Sequence, residues 1–298
     1  MADEDRFLPN LFILGAAKCG TTSLWEHLQS SREVCMSRPK EPLFFAWEFS
    51  AGLAHYRSKY FRHWKNETTI GDASHRNLYL PYVPERIHQT NPKAKLIVLL
   101  RNPIDRAYSH WWHFASRGRE SYSFEEALEH NQQQLERGEQ FRVESDYRRI
   151  RQHDVSGGNR GTYLDSGYYA RQIERYHRLF PEQQIQIILF DQFIAKPFQT
   201  VSRLRSFLGL RSVNRWTFRL RRANRQQRRA PNWLRQLAPN ATLPSSIATP
   251  ASKILQAGLK IQARPKMQPA TRTWLSEHYR PHNNQLAKKL SLDLSHWD

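Results

Sequence analysis

The feature that most constrains this chain is an apolar run that stops at glycine and restarts as an amphipathic helix. Leu11-Phe-Ile-Leu-Gly15 has strand length, and Thr21 to Leu28 follows with helical spacing across Ala16-Ala-Lys18-Cys19-Gly20. Such a turn leaves backbone N–H groups unpaired and aims a helix N-terminus at an anion. Thr21, Thr22 and Ser23 add hydroxyls in the first turn, and Lys18 adds a charge.

The alternation recurs along the chain. Strands are predicted over Thr68 to Gly71, Lys95 to Leu100 and Ile185 to Phe190, and helices over Pro81 to Thr90, from Pro103 through Trp111, Tyr169 to Phe180 and Phe198 to Leu208. Gly209 is the expected stop of the last of these, and Ala270 to Leu290 is a C-terminal helix. Lys95 to Leu100 is apolar on both faces, as a strand in the middle of a covered parallel sheet must be. The fold class is therefore α/β, a P-loop-like doubly wound sheet in which helices flank a central parallel β-sheet. Ligands of such sheets sit at the carboxyl ends of the strands, where Gly15 and Arg101 both fall.

The glycine loop is not an ATP loop. A Walker A sequence places lysine directly after its second glycine, and here Thr21 follows Gly20 while Lys18 precedes it. A second anion site is expected at Arg101-Asn-Pro-Ile-Asp-Arg106-Ala-Tyr-Ser109, where Arg101 offers a two-pronged guanidinium and Ser109 a hydroxyl. Two phosphate sites at adjacent strand ends suit a nucleotide phosphorylated at both ends of its ribose.

The chain has 298 residues and a formal charge of +19, and 17 positive charges with no acidic residue lie between Asp191 and Glu277. Almost all the excess thus sits in one segment, which is expected to face an anion; nucleic acid, an anionic glycan, acidic lipid headgroups or a multiply charged nucleotide all fit, and charge alone does not choose among them. One domain over 1–298 is expected, with a basic excursion at about 211–268 and a helix at about 270–290. Cys19 and Cys35 fit neither a disulfide framework nor a metal site, and no metal is expected among the scattered histidines. No run approaches the roughly 20 apolar residues of a membrane helix, and no secretory h-region follows Met1 to Arg6. A soluble, cytoplasmic protein is expected, with peripheral membrane contact where the acceptor is lipid-linked.

The two anion segments together resemble the PAPS-dependent sulfotransferases (PAPS, 3′-phosphoadenosine 5′-phosphosulfate), in the branch that includes heparan sulfate sulfotransferase domains and their bacterial relatives. Lys40-Glu41-Pro-Leu43-Phe-Phe45 is similar to that family's Lys-Glu-Pro-His-Phe-Phe segment. Tyr163 to Tyr169, Phe207 to Leu210, and Tyr279 to Asn283 with Trp297 match further landmarks. The resemblance implies that Lys18, Cys19, Gly20, Thr21, Thr22 and Ser23 hold the 5′-phosphosulfate, that Arg101 and Ser109 hold the 3′-phosphate, and that Tyr163 belongs to the nucleotide site. It implies Lys18 as the cation on the leaving phosphate and Glu41 as the catalytic base; His75 and His110 stand as alternative bases. It also implies PAPS as co-substrate and its desulfated product PAP as product, no metal, and a glycan, glycolipid or small-molecule acceptor carrying a hydroxyl or amine. Leu43 replaces a histidine of the relatives, and Gly71-Asp-Ala-Ser-His75 replaces a Glu-Lys-Thr-Pro-like run, so the acceptor stays open. A nucleotide kinase is disfavoured by the lysine placement. A nucleic-acid or polyanion-binding module is disfavoured because it leaves the two anion sites without a role, and no nucleic acid partner is expected.

Overall fold

The computed structural model describes residues 7–138, 141–146, 162–216, 218–220 and 264–297. Five strands, β1 (Leu11–Gly15), β2 (Val34–Met36), β3 (Thr69–Asp72), β4 (Lys95–Leu100) and β5 (Ile185–Leu189), form one sheet in the order β2-β3-β1-β4-β5. Every pairing is parallel. The connecting helices are α1 (Thr21–Gln29), α2 (Gly52–Tyr60), α3 (Arg76–Tyr79), α4 (Val83–Thr90), α5 (Pro103–Ala115), α6 (Phe124–Glu136), α7 (Tyr169–His177), α8 (Phe190–Ala195), α9 (Pro197–Leu208) and α10 (Pro269–Leu290).

The chain crosses from β1 to β2 at the sheet edge, comes back to β3 beside β1, and then pairs β4 on the other side of β1. The order therefore reverses between β1 and β4, and a crevice opens there at the carboxyl ends of both strands. The loop after Gly15 and the turn after Leu100 border it. In β4, Leu96 to Leu100 have no exposed surface at all, as the unbroken apolar run requires. Each such side chain contributes about 1.5–3 kcal/mol by leaving water.

Two glycines shape the first turn. Gly15 has φ +138°, and a Cβ on it would stand 2.9 Å from the His75 carbonyl oxygen, so only glycine lets the segment after β3 close onto the end of β1. Gly20 has φ +92° and caps α1 in the left-handed region, with the Phe190 ring against it.

Local chemistry accounts for the boundaries. Asn102 caps α5, its Oδ1 accepting from the Ile104 N–H at 2.9 Å and the Asp105 N–H at 3.4 Å, while Pro103 supplies the helical φ of the first turn. Gly209 stops α9 at φ +75°. Helix α4 begins at Val83, with Pro84 in its first turn, rather than at Pro81. Sequence periodicity passes over β2, α2 and α6, although Ser123 and Glu126 form a capping box at the start of α6. Positions 221–263 of the expected basic excursion lie outside the described residues.

Candidate active site

Lys18 lies in the loop between β1 and α1 with φ +68°, and Glu41 and Leu43, in the turn after β2, have φ +65° and +59°. Three side-chain-bearing residues in the left-handed region at one strand-end cluster mark backbone held against its own preference, as preorganised sites require. The Lys18 ammonium stands 3.2 Å from His113 Nδ1 on α5. An ammonium only donates, so that nitrogen carries the lone pair. Burial first, then the Arg117 guanidinium, with Arg101 and Lys40 adding and Glu41 opposing, pull the Lys18 amine down to about 8. Lys18 is thus held short of a counter-charge, the condition of a cation built for an incoming anion.

Glu41 faces the loop from the turn after β2. Its Oε1 accepts from Lys40 Nζ at 2.5 Å and its Oε2 from His75 Nδ1 at 2.9 Å. Burial pushes its carboxyl up, but His75 and Lys40 outweigh that and hold it well below the usual carboxylate range. His110 on α5 is buried, and burial, Arg106, His75 and Lys18 keep it neutral, well below the imidazole range. The His75 and His110 rings meet edge to face at 6.5 Å, and both border a cavity of about 20 Å³ with Ala16, Ala17 and Ser166.

Arg101 leaves the end of β4 with its guanidinium 5.0 Å from the Phe190 ring centroid and 3.9 Å from Asp105. Its carbonyl accepts from the Tyr169 hydroxyl at 3.0 Å, which fixes the strand end. Ser109 is partly exposed two turns along α5. In the loop, Cys19 is fully buried, its thiol pushed up to about 11 by burial, so it sits there as a neutral thiol. Its amide donates to the Ala16 carbonyl at 3.3 Å, and the α1 N-terminus begins two residues on, at Thr21. Tyr163 is placed differently from the loop residues: it is buried, its hydroxyl donates to Glu120 at 2.8 Å, and its carbonyl accepts from Arg106. Arg106 itself is fully buried and joins α5 to the segment around Tyr163.

Sequence reasoning missed His113 and Arg117. The signal was present, because His113 follows Ser109 by four residues and Arg117 follows His113 by four, which places all three on one face in and just past α5. It also passed over the i, i+4 pair His278 and His282 on α10. Those rings pack on Tyr168, whose hydroxyl meets His278 Nε2 at 2.9 Å, and no cluster of three metal-ligating side chains occurs among the described residues. Among the same residues, no helix is long and apolar enough to cross a membrane.

Comparison with known proteins points to one family. Human heparan sulfate glucosamine 3-O-sulfotransferase 6 is 28% identical over 213 residues, covering 70% of this chain and 54% of that protein. The human bifunctional heparan sulfate N-deacetylase/N-sulfotransferase 3 is 27% identical over 305 residues, covering 97% of this chain and 31% of that protein. The chain spans about half the length, or less, of the curated relatives it matches. The crystal structure of a sulfotransferase from Alicyclobacillus acidocaldarius superimposes with a TM-score of 0.68 at 27% identity, covering 98% of this chain and 99% of the other. The sulfotransferase domain family matches residues 8–257, and with the strand-loop-helix and strand-end geometry in place the chain belongs to that family.

Proposed function

We propose that this sulfotransferase takes its sulfuryl group from PAPS and delivers it to a glycan acceptor. The observation that carries the reading is the convergence of Lys18, Lys40, Arg101 and Arg117 on one glycine loop at the β1/β4 crevice, with Lys18 pulled down to about 8 by burial and by its cationic neighbours. The α1 N-terminus with Lys18, Thr21, Thr22 and Ser23 receives the 5′-phosphosulfate. Arg101 and Ser109 receive the 3′-phosphate, and Tyr163 supports them through its carbonyl on Arg106. As the bridging S–O bond breaks, charge develops on the leaving phosphate, and Lys18 with the helix amides stabilises it most strongly at that moment. The acceptor's proton passes to the Glu41–His75 pair, whose hydrogen bond is already made.

The relatives named for heparan sulfate favour a glycan acceptor over the small-molecule and lipid alternatives. Transfer from ³⁵S-labelled PAPS to N-desulfated heparin, a neutral glycolipid and a simple phenol, each with and without a chelator, tests donor and acceptor together. Label on a glycan is expected, unchanged by chelation. Label on the phenol alone replaces the glycan acceptor, and absence of PAP binding by calorimetry removes the donor assignment.

A further inference from the structure

The sequence motif nominates Glu41 as the base, but the geometry gives that carboxylate another task. Both its oxygens are already accepting, one from the Lys40 ammonium and one from the His75 ring. With both oxygens already accepting from neighbouring donors, that carboxylate has no free position from which to take the acceptor's proton. The same contact fixes the imidazole. An ionised carboxylate can only accept, so the proton between the two groups sits on His75 Nδ1, and in the neutral ring Nε2 carries the lone pair.

That nitrogen is buried and has no hydrogen-bond partner among the described residues. His75 borders the cavity beside Ala16 and Ala17, the two loop residues directly before Lys18. The wall across the cavity includes His110, 3% exposed and neutral, with its own Nδ1 buried and unpartnered. Both histidines line this cavity of about 20 Å³, which has room for one small polar group, the size of a water or of a hydroxyl. Gly15 keeps the arrangement tight, because the His75 carbonyl packs where any Cβ at position 15 would stand.

We infer that His75 Nε2 is the atom that takes the acceptor's proton, and that Glu41 is the positioning residue that holds the ring in the required tautomer and orientation. The inference rests on the proposed sulfuryl transfer and assigns the base within it. In the step, the acceptor hydroxyl oxygen forms a bond to sulfur and the bridging S–O bond breaks. Its electron pair leaves on the 5′-phosphate, giving PAP, and the hydroxyl proton goes to Nε2. The imidazolium so formed lies against the Glu41 carboxylate, which is a carboxylate–imidazole relay with sulfur as the electrophile.

The ring meets Glu41 from the turn after β2 and His110 from α5, with Lys40 bonded to the other Glu41 oxygen. Helix α3 adds Arg76 and Tyr79, the latter with its hydroxyl bonded to Asp165.

Two measurements decide the assignment. In ¹⁵N-histidine-labelled protein saturated with PAP, nuclear magnetic resonance is expected to show His75 protonated on Nδ1 and bare at Nε2. A ring protonated on Nε2 and bare at Nδ1 overturns the inference, whatever the acceptor proves to be. The second measurement is single-turnover transfer from ³⁵S-labelled PAPS to N-desulfated heparin. His75→Gln is expected to lose roughly 10²- to 10⁴-fold in rate with PAP affinity kept, and added imidazole is expected to restore part of the rate to His75→Ala. Glu41→Gln is expected to keep a weakened reaction and, in the same resonance spectra, to lose the fixed Nδ1–H tautomer of His75. A His75→Gln protein that binds PAP and transfers within threefold of the parent overturns the inference and leaves sulfuryl transfer standing. A parent protein that binds no PAP removes the donor reading itself. Should His75→Gln fail to fold, the resonance assignment of the parent decides alone.

Discussion

Lys18 and Asp72 are two buried or half-buried ionisable groups whose surroundings work against their charged forms, and each makes its own demand on pH. The Lys18 amine, drawn down to about 8, is only partly charged near that pH in the free protein. An anion beside it favours the charged form, so PAP binding takes up a proton and affinity falls as pH rises from 7 to 9. Calorimetry in buffers of differing ionisation enthalpy is expected to show that uptake, and Lys18→Met to abolish it; an affinity flat across the range contradicts the role given to Lys18. Asp72 is fully buried at the end of β3, accepting from the Tyr56 hydroxyl at 2.6 Å, and burial first raises its carboxyl from 3.8 to about 6. The folded state therefore binds this proton more tightly than the unfolded chain. Its stabilisation is complete below about 4 and is lost as pH rises through about 6. Asp72→Asn is expected to be the more stable protein at pH 8, by up to about 3 kcal/mol, and to lose its advantage by pH 4. Thermal melts of the two proteins across that range check the sign, and parallel curves refute it.

At the scale of elements, α5 does the most joining. Asn102 caps it, and the other end of the same amide donates from Nδ2 to the Trp297 carbonyl at 2.8 Å, so one side chain ties the start of α5 to the C-terminal tail. Asn102→Ala removes the cap and leaves a buried carbonyl without a donor, together about 2–4 kcal/mol. Asn102→Ser keeps a capping oxygen and is expected to recover roughly half of that in denaturant unfolding; equal losses in the two variants would show that the tie to Trp297 carries the whole effect. These elements differ in how openly the sequence announces them. Leu96 to Leu100 is legible because a run apolar on both faces has one natural place, and α9 because Gly209 marks its end. Strand β2 has only three residues, Val34 to Met36, too few for periodicity, and its burial comes from pairing with β3. The strand-loop-helix around the candidate loop Lys18 to Ser23 was legible because one segment carries it. The site was illegible where distant segments meet: nothing local in Lys40-Glu41 foretells His75, 34 residues on, and nothing in Tyr163 foretells that Glu120 takes its hydroxyl.

Across the whole molecule, the β1/β4 crevice gathers cations from the loop, from β4 and from α5, while the acidic residues nearest to them are already paired, Glu41 with Lys40 and His75, and Asp105 with Arg272 at 3.0 Å. The parallel order that creates this crevice also governs how the chain can assemble. Strand β1 occupies residues 11–15, yet its partners are β3 at 69–72 and β4 at 95–100, and β4 waits in turn for β5 at 185–189. During synthesis at about 5–20 residues per second, the anion loop's strand therefore emerges seconds before anything exists to pair with it. Sheets closed by such distant contacts form slowly, because loop-closure entropy is lost before the pairing compensates for it. For that interval the apolar strand that will carry the anion loop is unpaired on both sides, which gives low temperature and slow induction a physical basis when the protein is produced.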